Sequence, residues 1–204
     1  MSSHKISAIV FDLGNVLLPF NYIFAINNLN QIEPELGNRF IDFYKSNYHL
    51  HRDFEKGIIS EDSFLDIMLN AVEHKIKKET FCKIFSDIFT VNENVVSLLP
   101  ILKKDYKLFL LSNTNSIHQE YGWKKYEFLK YFDKLILSHE VHSLKPEEKI
   151  YREVEKTSGL PSEEHFYIDD IEEYVDAAIK LGWDAVQFVD FQKLVDDLKS
   201  RNII

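Results

Sequence analysis

The chain has 204 residues, 45% apolar and 28% charged, which is enough for one substantial core with an inserted subdomain. Its 33 acidic and 24 basic side chains leave a formal net charge of −9 with no basic stripe, which argues against nucleic acid or an anionic membrane as the main partner. No stretch approaches the ~20 apolar residues of a membrane span, and the single cysteine, Cys82, permits no internal disulfide. A cytoplasmic monomer or homodimer is the expectation. Sixteen Phe and ten Tyr suggest a bulky aromatic core.

In chain order, Lys5 and the apolar run after it stop at Asp12, short of a signal sequence. Residues 6–11 instead read as a strand buried on both faces, ending in the turn residues Asp12-Leu13-Gly14-Asn15. Alone, this segment leaves two readings open. Asp12 caps the next segment, or it is an acid at a strand end that attacks an electrophile, holds a metal, or does both. Residues 19–90 carry apolar side chains at helical spacing, as in Phe40, Ile41, Phe43, Tyr44 and in Phe64, Leu65, Met68, Val72. They predict three or four helices lying over the carboxyl edge of a sheet.

From residue 92 onward helices and strands alternate. A helix is expected over 92–104, a strand over 107–111 and a helix-like excursion over 116–131. A strand over 135–137 and a helix over 147–158 come next, the helix stopped by Gly159. A strand over 165–168, a helix over 171–181 stopped by Gly182, a strand over 185–189 and a helix over 191–200 complete the chain. Such alternation implies a parallel sheet with right-handed crossovers.

Three later strand and loop ends face the same edge as Asp12: Ser112-Asn113, Ser143-Leu144-Lys145-Pro146 and Asp169-Asp170. Each has an ordinary explanation, as a helix N-cap, a solvated lysine and acids favouring a helix start. Together they are what a phosphate ester requires. Asp12 attacks phosphorus, Mg²⁺ held by Asp12 and Asp170 neutralises charge, Lys145 adds a point charge, and Ser112 with Asn113 binds equatorial oxygens.

The motifs FDLGNVL, LLSNT, SLKPEEKIY and YIDDIEEYVDAA, in this order, resemble those of the haloacid dehalogenase-like hydrolase superfamily. FEKGIIS, residues 54–60, is similar to the cap of the subgroup of small sugar phosphatases and the phosphatase domain of soluble epoxide hydrolase. The resemblance implies an α/β, Rossmann-like parallel sheet of order 3-2-1-4-5 formed by 1–18 and 91–204, with a helical cap over 19–90. It implies a Mg²⁺-dependent phosphatase of a small phosphorylated metabolite, working through an aspartyl-phosphate. Asp12 would be nucleophile and metal ligand, Lys145 the charge neutraliser, and Ser112 and Asn113 the phosphate binders. Asp170 would be a direct ligand, Asp169 a ligand through water or a supporting acid, and the Gly14 carbonyl would face the metal.

Two positions depart from the family pattern. Gly14 stands where most family phosphatases carry the acid that protonates the leaving oxygen, and Tyr174 stands where the subgroup often carries Asn or Asp. An anomeric sugar phosphate, with its better leaving group, would need less acid help. Alternatively the helical segment supplies the acid, from His49, His51 or Glu55. His139 and His142 lack a nearby third ligand and are not expected to hold metal. Two other functions stay open: a metal-free 2-haloacid dehalogenase, and a degenerate member with a binding or regulatory role.

Overall fold

The computed structural model describes residues 5–204; Met1–His4, the start of the expected 1–18 segment, lie outside the described residues. Strands β1 (Ala8–Phe11), β2 (Lys107–Ser112), β3 (Lys134–Leu137), β4 (His165–Asp169) and β5 (Asp184–Gln187) form one sheet. Its order is β3-β2-β1-β4-β5, all parallel. Phe11 lies level with Leu110 on one side and Ile168 on the other. The strand ends just beyond them therefore emerge together where the strand order reverses, the place an open α/β sheet offers a ligand.

Alternation along each strand decides the two faces. Ile9, Phe11, Leu108, Leu110, Phe166 and Ile168 point to one side. There they meet Leu99 and Leu102 of α7 (Leu99–Leu102) and Leu194 and Leu198 of α11 (Phe191–Ser200). Ala8, Val10, Phe109, Leu111 and Tyr167 point the other way, onto Ile150, Tyr151 and Val154 of α9 (Glu148–Ser158) and Ala178 of α10 (Glu172–Lys180).

Between β1 and this core lie five helices among the described residues, not three or four. They are α1 (Ile23–Ile32), α2 (Leu36–Ser46), α3 (Tyr48–Glu55), α4 (Glu61–Ala71) and α5 (Lys78–Ser86). They share a separate aromatic core built on Phe40, Phe54, Phe64, Phe81 and Phe85. The helix expected over 92–104 is two single turns, α6 (Glu93–Val96) and α7, because Pro100 has no N–H to continue the hydrogen-bond ladder. The excursion after β2 is a π-helical turn, His118–Trp123, and a 3₁₀ turn, Glu127–Tyr131. A one-turn α8 (Ser138–Val141) comes after β3. The last strand closes at Gln187, short of the expected 189, and Val189 is exposed.

The helical segment is fastened to the sheet at the end of α3. Ser138 Oγ donates to the Glu55 carbonyl at 2.7 Å and accepts from the Thr114 N–H at 2.9 Å. Gly57 adopts φ +69°, and a Cβ there would lie 2.6 Å from His142 Nδ1 and 2.8 Å from the His139 carbonyl. Only glycine lets the chain turn so close to α8.

Candidate active site

Asp12 leaves β1 with its N–H bonded to the Ile168 carbonyl at 2.9 Å, so the sheet itself fixes its position. Opposite it lies Lys145, buried at 1% exposure. Its ammonium donates to Asp12 Oδ1 at 2.6 Å, to Asp169 Oδ2 at 2.6 Å and to the Leu111 carbonyl at 3.2 Å, which uses all three protons. Burial works against this charge, but the two carboxylates outweigh burial and hold the proton more tightly than usual.

Asn113 turns out to be a clamp. Its Oδ1 accepts from the Lys145 N–H at 2.8 Å, and its Nδ2 donates to the Lys145 carbonyl at 3.1 Å. Of the two Asn113 groups that can reach a phosphate, the side-chain amide is thus spent on positioning Lys145, and the backbone N–H is left for an anion. Ser112 is buried at the end of β2, and its hydroxyl makes only a 3.4 Å contact to the Asn113 carbonyl. Tyr174 lines the site: its hydroxyl accepts from Asn113 Nδ2 at 3.3 Å, and Lys145 Nζ lies 5.1 Å from its ring centre.

Asp12, Asp169 and Asp170 bring carboxylate oxygens within 4.8 Å of one another. The three differ in what they can still do. Asp169 is the most engaged, accepting from Lys145, from the Tyr167 hydroxyl and from the Ile171 N–H at 2.8 Å. Asp170 is half-buried and takes one bond, from Asn15 Nδ2 at 2.9 Å. Burial raises the Asp12 carboxyl above its usual range, and Asp169 and Asp170 add to this against the pull of Lys145. Burial likewise raises Asp170, with Asn15 opposing and Asp169 adding. Three crowded carboxylates against one ammonium are a donor set that a hard divalent cation would relieve. Asp12 and Asp170 offer that ion the more open oxygens, and Asp169, already bonded to Lys145, Tyr167 and Ile171, offers the fewest.

Two small cavities meet here. The outer one, about 140 Å³, is bounded by the sheet edge at Asp12, Lys145 and Asp170 and by Tyr48, Arg52 and Glu55 of α3. The inner one, about 120 Å³, runs among the aromatic side chains to His51, His118 and Trp123. Gly14, Phe20, Tyr48, Glu55 and Asn113 line both.

The inner cavity holds an unusual set of polar atoms. His51 Nδ1, His118 Nε2 and Trp123 Nε1 are buried with no hydrogen-bond partner among the described residues. His118 Nδ1 accepts from Asn115 Nδ2 at 3.2 Å, and the Asn115 Oδ1 accepts from the His118 N–H at 2.9 Å, which places the ring proton on Nε2. Burial pushes this imidazole far toward its neutral form. His51 Nε2 lies 3.1 Å from Glu55 Oε1, and Arg52 Nη1 donates to Glu55 Oε2 at 3.3 Å. His49 is exposed and faces neither cavity. His139 bonds the Thr114 carbonyl and Gln119, and His142 the Lys56 carbonyl, all away from the acid cluster.

Asn15, Tyr167, His118 and Trp123 did not stand out in the sequence as site residues. Asn15 carries a signal, an Asn at a turn held at φ 53°. Tyr167 carries another, two residues before Asp169 on the same strand face. His118 and Trp123 carry none, because their place depends on how α5 packs against the π-helical turn.

Residues 9–188 match the family described as haloacid dehalogenase-like hydrolase. A D-ribitol-5-phosphate phosphatase of Bacteroides thetaiotaomicron is 26% identical over 192 residues, covering 89% of this chain and 91% of that one. A HAD family enzyme of the same organism, solved as a magnesium complex, superposes with a TM-score of 0.80 at 26% identity, over 94% of this chain and 99% of that one. A predicted HAD-like hydrolase of Porphyromonas gingivalis superposes with a TM-score of 0.79 at 26% identity, over 96% and 98% of the two chains.

Proposed function

This chain belongs to the haloacid dehalogenase-like hydrolases, and from that premise we propose that it is a Mg²⁺-dependent phosphatase of a small sugar or sugar-alcohol phosphate. The observation that carries the reading is the buried Lys145 ammonium shared between Asp12 and Asp169, with Asp170 beside them at the mouth of a cavity. An acid paired with a fixed cation, at a strand end, is placed to act as a nucleophile toward phosphorus.

In this reading the phosphoryl group sits in the outer cavity. Lys145 opposes the burial that favours a neutral Asp12 and faces the phosphoryl oxygens, while the Ser112 hydroxyl and the Asn113 N–H bind them as they gain charge. Asp169 holds Lys145 in place. Asp12, Asp170 and the Gly14 carbonyl would hold Mg²⁺, which when bound supplies the positive charge that lets a carboxylate approach a phosphate dianion. We read 1–18 and 91–204 as the hydrolase core and 19–90 as its cap. The lone buried thiol Cys82 suits a reducing compartment, the basis for placing the reaction in the cytoplasm.

The carbon chain of the substrate occupies the inner cavity. Three unpartnered ring nitrogens, with the Glu55 carboxylate, offer bonds to hydroxyl groups rather than to a hydrocarbon. About 120 Å³ suits a molecule of a few carbons. The Bacteroides relative named for ribitol 5-phosphate is of that kind.

The test is phosphate release from a panel of sugar and polyol phosphates and p-nitrophenyl phosphate, with Mg²⁺ or EDTA. Release that needs the metal and favours hydroxylated substrates supports the reading. A silent panel together with chloride release from 2-chloropropionate would replace it with the metal-free dehalogenase.

A further inference from the structure

We propose that Glu55, paired with His51, is the proton donor to the leaving oxygen, the role that Gly14 leaves unfilled. This rests on the phosphatase reading. With the phosphoryl group in the outer cavity and the carbon chain in the inner one, the scissile bond crosses the junction between them. Five residues line that junction: Gly14, Phe20, Tyr48, Glu55 and Asn113. Gly14 and Phe20 have no proton to give. The Asn113 amide is committed to the Lys145 backbone. Burial raises the Tyr48 phenol further above its already weakly acidic range. Glu55 remains.

The sequence of α3 builds this arrangement. Tyr48, His51, Arg52 and Glu55 fall at i, i+3, i+4 and i+7, one face of a helix, and that face looks onto both cavities. The Ser138 bond to the Glu55 carbonyl fixes the end of the helix over the sheet edge. Glu55 and His51 are both buried, at 7% and 4% exposure. Burial raises the Glu55 carboxyl, but His51 and Arg52 outweigh it and hold Glu55 ionised at rest. A proton on His51 Nε2 would lie 3.1 Å from Glu55 Oε1, within reach of that carboxylate.

A buried ionic cluster is a poor stabiliser, and well-packed apolar residues usually do as well or better. One set against Phe64 and Phe85, with His51 Nδ1 unpartnered among the described residues, is better explained by use than by folding.

The protons balance over the cycle. Asp12 forms a bond to phosphorus, and the bond from phosphorus to the leaving oxygen breaks with its electron pair on that oxygen. Glu55 passes the proton it shares with protonated His51 to the oxygen, which departs as an alcohol and leaves His51 neutral. Water then attacks phosphorus, its proton returns to the pair, and the Asp12 carboxylate and inorganic phosphate are released.

The test is a series of phosphate esters spanning leaving groups from alkyl alcohols to p-nitrophenol, measured with Mg²⁺ for wild type, Glu55→Gln and His51→Asn. Wild type should depend weakly on leaving-group acidity. Glu55→Gln should depend on it steeply, losing about 10²–10⁴-fold on alkyl esters and only a few-fold on p-nitrophenyl phosphate. His51→Asn should steepen the dependence in the same direction. The slope does not depend on the fraction of protein folded, so partial misfolding cannot imitate the result. Equal losses of Glu55→Gln across the series, or none, would overturn the acid role and leave the phosphatase reading standing. A wild type that releases phosphate from no ester would overturn both.

Discussion

The sheet edge and the helical segment above it treat polar groups in opposite ways. At the edge the groups around Lys145 are tied together: Lys145 uses three protons, Asp169 accepts three bonds, and the Asn113 amide closes a two-way clamp on the Lys145 backbone. In the pocket below α3, three ring nitrogens are buried without partners among the described residues. Saturated networks are rigid, and rigidity suits a step that is the same for every phosphate ester. Unsatisfied donors and acceptors suit recognition, because only a ligand with matching hydroxyls satisfies them. On the proposed function, phosphoryl transfer falls to the strand ends, and selection, with proton donation by Glu55, to the helices.

Substitutions break or sharpen this contrast by graded amounts. Asp12→Asn should lower phosphate release on the order of 10⁴-fold or more, since an amide cannot be the nucleophile; a steady-state assay checks it. Lys145→Met should be the most destabilising change at the edge. It leaves Asp12 and Asp169 buried with no ammonium between them, a loss of about 3–5 kcal/mol in urea unfolding. Asn113→Ala removes both clamp bonds and should cost about 1–3 kcal/mol. The same unfolding measurement reads it, together with a fall in kcat as Lys145 loosens.

Trp123→Phe is the counterpart from the pocket. Its N–H makes no bond among the described residues, so its loss should cost only about 1 kcal/mol, mainly from the smaller ring. The effect should appear instead as a several-fold higher KM for polyol phosphates and an unchanged KM for p-nitrophenyl phosphate. A large stability loss with no change in KM would erase the contrast between the two regions.

The sequence carries the sheet edge plainly, and for a physical reason. Buried strands ending abruptly in Asp12, Ser112 and Asp169 announce both the strand and its end, and parallel pairing forces those ends together. Gly159 and Gly182, both at positive φ, mark the ends of α9 and α10 as local backbone chemistry requires. The break between α6 and α7 is equally local, in Pro100, yet the apolar spacing across it masks the break. The pocket is far less legible. The stripe Tyr48, His51, Arg52, Glu55 can be read as one helical face, but nothing local says that this face meets the sheet edge. The role of Asn113 is hidden because an amide at a strand end can serve an anion or a neighbouring backbone equally well, and only the position of the Lys145 loop decides. His118 and Trp123 enter the site through the packing of α5 against a π-helical turn, which no spacing rule foretells.

The most direct measurement is mass spectrometry of the enzyme acid-quenched during turnover of a polyol phosphate with Mg²⁺. A phosphoryl adduct is expected on the peptide carrying Asp12, absent with EDTA and absent in Asp12→Asn. Phosphate release at an undiminished rate in Asp12→Asn, or an adduct on any other residue, would contradict it.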